Sequence, residues 1–75
     1  MKTLADLPKH LAAEVVGLTG SEETQRRLLE LGFSTGAGLE IMAVAPLGGP
    51  LVVRVGDGVL AIRRGEARCV LVKTA

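Results

Sequence analysis

Residues 21–36, SEETQRRLLELGFSTG, read as a short capped helix that stops at a glycine and turns sharply into a strand. Thr19 or Ser21 caps its amino end, because either hydroxyl can accept a hydrogen bond from a free backbone N–H. Glu22 and Glu23 then occupy the first turn, against the positive end of the helix dipole. Glu22 with Arg26, and Glu23 with Arg27, are i,i+4 pairs in the favourable order, each worth about 0.2–0.5 kcal/mol. Thr24, Leu28 and Leu31 share one stripe with Leu29 beside it, so one face is suited to burial. Gly32 supplies the left-handed residue after the helix, and Phe33 folds back on Leu28. Ser21, Gly32 and Gly36 are thus the caps and turns of this stretch.

Working outward, the pattern becomes β-like on both sides. Residues 3–8 form an ordered turn anchored by Leu4 and Leu7. Residues 13–18, AEVVGL, are a first strand that ends at Thr19-Gly20. After the helix, Ser34-Thr35-Gly36 reverses the chain, with a positive φ expected at Gly36. In residues 39–45, LEIMAVA, Leu39, Ile41 and Ala43 fall on one face and Glu40, Met42 and Val44 on the other. The prolines and paired glycines of residues 46–50, PLGGP, make a loop. A second alternating run, residues 51–55, sets Leu51, Val53 and Val55 opposite Arg54. Gly56-Asp57-Gly58 signals a tight hairpin, in which Asp57 and Gly58 tolerate positive φ. Residues 59–62 return as a strand, residues 63–67 make one turn of 3₁₀ helix, and residues 69–72 form the last strand before a frayed end. The expected architecture is mainly β with one short helix: a small, strongly bent barrel of about five strands in a single domain, residues 1–75.

Composition narrows the function. A 75-residue chain buries only about 60–65% of its unfolded surface. Yet 48% of its residues are hydrophobic, mean hydropathy is +0.41 and only one residue is aromatic. That excess of aliphatic surface implies an exposed apolar patch, which marks a partner or self-association surface. A net charge of +1 argues against a nucleic-acid footprint. Arg54, Arg63, Arg64 and Arg68 form a modest basic cluster without the aromatic stacking platform that single-strand binders use. One cysteine excludes an internal disulfide and suits a reducing compartment. No secretory apolar segment and no bilayer-length apolar run is present, so a cytoplasmic location without membrane insertion is expected.

No catalytic constellation emerges. Cys69 and His10 are the only thiol and imidazole, and they are far apart in sequence. Ser21 and Ser34 are explained by capping and turn chemistry. His10 is the one metal-ligand candidate, in a site shared between chains, because the carboxylates are scattered and those of the helix are interleaved with arginines. The glycine pairs lack the lysine and following helix of a phosphate loop.

Leu28-Leu29-Glu30-Leu31-Gly32-Phe33, Gly36, the run LEIMAVAPLGGPLVVRV (residues 39–55) and LAIRRGEARCVLV (residues 60–72), in that order, resemble the FeoA family of ferrous iron transport accessory proteins. Two departures stand out: Thr35 replaces the proline that usually precedes Gly36, and Lys9-His10-Leu11-Ala12 replaces a glycine-containing lead into the first strand. The resemblance implies an SH3-like small barrel with a helical insertion after the first strand. It implies no enzymatic activity and no intrinsic cofactor beyond weak binding of Fe(II) or another divalent metal. The implied partner is FeoB, a membrane Fe(II) transporter with a GTP-binding domain, which would hold the chain peripherally at the inner face of the membrane; a homo-oligomer is a further expectation. The same barrel closes the iron-dependent repressors resembling DtxR, so a metal-sensing module is the alternative. On the docking reading, Arg26, Leu29, Phe33, Pro46 and Leu47 form the partner interface.

Overall fold

The alternation in residues 51–55 marks the middle of the molecule. In the computed structural model, which describes residues 2–74, Leu51, Val53 and Val55 point into the core from β4 (Leu51–Val55). Around it the chain forms β1 (Lys2–Thr3), a 3₁₀ turn (Leu4–Asp6), β2 (Ala13–Leu18), α1 (Glu22–Glu30), β3 (Gly38–Val44), β5 (Gly58–Ile62), α2 (Arg64–Ala67) and β6 (Val70–Thr74). The strands make one six-stranded sheet in the order β1-β6-β2-β3-β4-β5, with every neighbouring pair antiparallel. It curls round a single cluster to which all the elements from the 3₁₀ turn to β6 contribute, Leu4, Leu28, Phe33 and Val53 among them. Leu4 and Leu7 are anchored there as expected.

The helix ends by the chemistry its sequence predicts. Ser21 is the cap, and its Oγ accepts from the Thr24 N–H at 3.1 Å. At the other end the Phe33 N–H donates to the Leu28 carbonyl and the Gly32 N–H to Leu29, both at 3.0 Å. These are the two nested bonds of a Schellman motif, with Gly32 at φ +110°. Gly36, at φ +91°, then donates to the Val15 carbonyl at 2.8 Å, while the Val15 N–H donates to Ala37 at 3.0 Å. The turn is therefore bolted to the middle of β2, which sets the angle at which β3 departs.

Six strands replace the expected five, because Lys2 and Thr3 pair with Val72 and Leu71. Ala43 is exposed rather than core-facing, since a register shift between Ile41 and Ala43 inserts an extra residue and flips the alternation. The hairpin turns on Gly56 and Asp57. Only Gly56 has positive φ (+57°), the pattern of a type II′ turn, and Gly58 already belongs to β5 opposite Val55. The turn at residues 63–67 is α-helical, because Ala67 and Arg68 donate to the carbonyls four residues back. That moves Cys69 into the following turn, where it is half-buried. Lys73 and Thr74 are not frayed but pair with Glu14 and Ala13. The expectation for Ala75 lies outside the described residues.

Candidate functional site

The exposed aliphatic surface that composition implied is concentrated on one sheet face. Ladder register aligns Ala43, Val52 and Ala61 across β3, β4 and β5, and Glu40, Arg54 and Val59 in the adjacent row. Met42 is exposed beside them, and Val59 is 64% exposed; Val44, also exposed, pairs with core-facing Leu51 and so lies on the other face. A single ion pair interrupts this apolar face. Arg54 Nη2 donates to Glu40 Oε1 at 2.9 Å, while His10 Nδ1 lies 3.6 Å from Glu40 Oε2.

Leu47 sits at the end of this face. In residues 46–49 the Gly49 N–H donates to Pro46 at 3.2 Å, and both Leu47 (φ +59°) and Gly48 (φ +72°) are left-handed. That is a type I′ pattern, which ordinarily selects Asn, Asp or Gly at its first central position. Gly49 keeps the turn tight, since a Cβ there would come within 2.8 Å of the Ala45 Cβ. A leucine is thus held in a conformation it disfavours, with its side chain 104% exposed. Pro46 is exposed beside it.

The other expected docking residues lie elsewhere. Leu29, 52% exposed, and Arg26 are on the outer side of α1. The end of α1 is next to Val55, at the far end of β4 from residues 46–50. The seven residues of β3 span roughly 20 Å, so Leu29 and Leu47 occupy opposite ends of the sheet and form two surfaces. Phe33 is a correction: it is fully buried in the core, where the Schellman turn carries it, and offers nothing to a partner. Met42, Val59 and Ala61 were missed as surface residues. The signal was available for Met42, which the alternation of residues 39–45 places opposite Leu39 and Ile41.

The remaining chemistry-bearing residues are dispersed. Cys69 Sγ donates to the Gly65 carbonyl at 3.7 Å, away from His10, whose own N–H donates to the Ile41 carbonyl at 2.9 Å. Among the described residues no three His, Cys, Asp or Glu side chains gather as metal ligands. The basic cluster is split: Arg54 is paired to Glu40, while Arg63, Arg64 and Arg68 surround α2. Arg27 pairs at 3.2 Å with Glu66 of α2 and not with its helical neighbour Glu23. No helix among the described residues is long and apolar enough to cross a membrane.

Two carboxylates tie pH to stability. The hydrogen bond from Arg54, assisted by His10 and opposed by burial, holds Glu40 below the usual glutamate range. The Thr3 backbone N–H, at 2.9 Å, lowers Asp6 in the same way. A carboxylate whose folded pKa is depressed contributes stability above its unfolded pKa, and that contribution is lost as pH falls through the folded value. Melting temperature is therefore expected to fall as pH drops below about 4, and more shallowly in Glu40→Gln. Parallel melting curves for the two proteins from neutral pH to pH 3 would refute the role of Glu40.

The FeoA domain model matches residues 2–74, nearly the whole sequence. The chain belongs to the FeoA family. Its FeoA fold superimposes on the solution structure of FeoA protein from Chlorobium tepidum with a TM-score of 0.88 and 34% identity, over 97% of this chain and 70% of that one. Stenotrophomonas maltophilia FeoA, crystallised with zinc, gives a TM-score of 0.84 and 38% identity over 97% and 91% of the two chains. That relative is described as an SH3 domain protein and a suggested ferrous iron transport activating factor, which agrees with the SH3-like barrel expected from the sequence. A manganese-dependent transcriptional repressor shares the fold alone, with a TM-score of 0.89 at 15% identity over 99% of this chain and 41% of that one. No curated protein matches the chain.

Proposed function

We propose that this FeoA-family chain regulates a FeoB-type ferrous iron transporter by docking on the transporter's cytoplasmic domain, which would hold it at the inner face of the membrane. The observation that carries the reading is Leu47, an apolar side chain wholly exposed on a turn whose backbone it disfavours. Strain of this kind, about 1–3 kcal/mol, clusters at functional sites, and a glycine or asparagine there would be more stable. Leu29 on α1 supplies a second apolar anchor, flanked by Arg26. Burying one leucine contributes about 1.5–3 kcal/mol, so the two together account for a moderate-affinity contact.

Isothermal titration of the chain against the transporter's soluble GTP-binding domain tests this. Leu47→Asp is expected to weaken binding at least about ten-fold, and Leu47→Asp with Leu29→Asp to abolish it, with the fold retained because both side chains are exposed and aspartate tolerates the left-handed backbone at Leu47. Unaltered affinity in the double variant would end the proposal.

The metal-sensing alternative draws support from the zinc complex of the Stenotrophomonas maltophilia relative. It is the weaker reading, because Glu40, the carboxylate beside His10, is already held by Arg54.

A further inference from the structure

The sheet has two edges, β1 and β5. The β1 edge is two residues long and carries Lys2, the short, charged form that resists pairing with another chain. The β5 edge, GVLAI, is five residues long with no charge, no proline and no bulge. In the β4–β5 ladder Val55 faces Gly58, Val53 faces Leu60 and Leu51 faces Ile62. Across a two-residue turn the first of these is a hydrogen-bonded pair, and such pairs alternate along the ladder. The N–H and C=O groups of Val59 and Ala61 therefore point away from β4. Among the described residues no other backbone or side-chain group bonds to them, and both residues are exposed.

We infer that β5 pairs antiparallel with β5 of a second copy of this chain, continuing the sheet across a two-fold axis at Leu60. Charge complementarity selects this occupant and this register. Only residues with outward backbone groups can exchange bonds, which restricts the register to steps of two. Centred on Leu60, Val59 exchanges both bonds with Ala61 of the second copy, and Ala61 with Val59, so the whole strand overlaps. The same register sets Asp57, at one end of β5, opposite Arg63 of the second copy, and the axis repeats the pair at the other end. Arg63 is exposed and, with extended backbone, continues the alternation of Val59 and Ala61 on the outer sheet face, while Asp57 is exposed in the turn that leads into β5. A slip of two residues removes both charge pairs and shortens the overlap. The aliphatic face of β3 to β5 becomes continuous across the axis, with Val59 beside Ala61 of the other copy. One strand pair is small beside the roughly 1,200–2,000 Å² of stable interfaces, so the dimer is weak and concentration-dependent.

Sedimentation equilibrium of the full chain from micromolar to millimolar concentration, together with amide hydrogen exchange, tests the inference. The expected result is a reversible monomer–dimer equilibrium in which the Val59 and Ala61 amides become protected as concentration rises. Ala61→Pro and, independently, Val59→Lys are expected to leave a folded monomer; the proline removes an N–H that β4 does not use. Asp57→Arg, or Arg63→Asp, should raise the dissociation constant about ten-fold, and the two together in one chain should restore it. A monomer at millimolar concentration overturns the inference. So does a dimer whose Val59 and Ala61 amides exchange freely, or one indifferent to the charge reversals. Protection that arises only on adding the transporter's GTP-binding domain gives the edge to that protein and overturns the second copy as occupant.

Discussion

Phe33→Ala is expected to lower the unfolding free energy by about 3–5 kcal/mol. The ring is fully buried at the centre of the cluster that includes Leu28, Leu39 and Val55, and a truncated side chain leaves a cavity that a close-packed interior refills only in part. A chain of 75 residues has a total stability of about 4–11 kcal/mol, so this one change removes a large share of it. With no tryptophan or tyrosine, the transition is best followed by far-ultraviolet circular dichroism in urea. Phe33→Leu, which keeps more of the volume, should recover a good part of the loss. A loss below about 1 kcal/mol in Phe33→Ala would mean that the ring does not fill the core. The result also separates two roles: any failure of this variant to bind the transporter would follow from unfolding and would not mark Phe33 as a contact.

The second large effect is at Gly32. Gly32→Ala is expected to cost about 1–3 kcal/mol, lowering the melting temperature by about 4–8 °C for each kcal/mol in a domain of this size. Space is not the reason: a Cβ there would sit 3.7 Å from Val55 Cγ1, an ordinary contact. The backbone is, because φ of +110° is closed to side chains. Gly38→Ala is the control. Gly38 lies in β3 without positive φ and with nothing within 4 Å of a built Cβ, so reduced freedom of the unfolded chain makes the change neutral or stabilising by up to about 1 kcal/mol. Equal shifts in melting temperature for the two variants would remove the Schellman turn as the cause.

Residues 21–36 show why so much of the fold was legible. Ser21, Leu28, Gly32, Phe33 and Gly36 each act through bonds to residues within a few positions or through their own φ, and local signals of that kind are written in order along the chain. The same holds for β2, whose extent follows from a β-rich run closed by Thr19-Gly20, and for β4, whose extent follows from its alternation. Errors arose where a partner strand decides. The exposure of Ala43 depends on a bulge visible only against β4, and Lys73 and Thr74 are ordered only because Glu14 and Ala13 lie opposite. The missed strand β1 is two residues long, too short for any periodicity.

The candidate surface was less legible than the fold. Composition required that aliphatic side chains remain outside, and the docking reading named Leu29 and Leu47 without locating them. Their placement at opposite ends of β3 follows from the direction in which β3 leaves the bolted turn, whereas Phe33 is carried into the core by the Schellman turn itself.

The sequence by itself determined the helix, its two caps, the central strand and the family, because these rest on interactions between near neighbours and on motif order. Only the tertiary structure decided which aliphatic residues share a face, that Arg27 reaches Glu66 across two helices, and that β5 is left as an open edge. Those properties depend on strand order, register and bulges, which arise when distant segments meet.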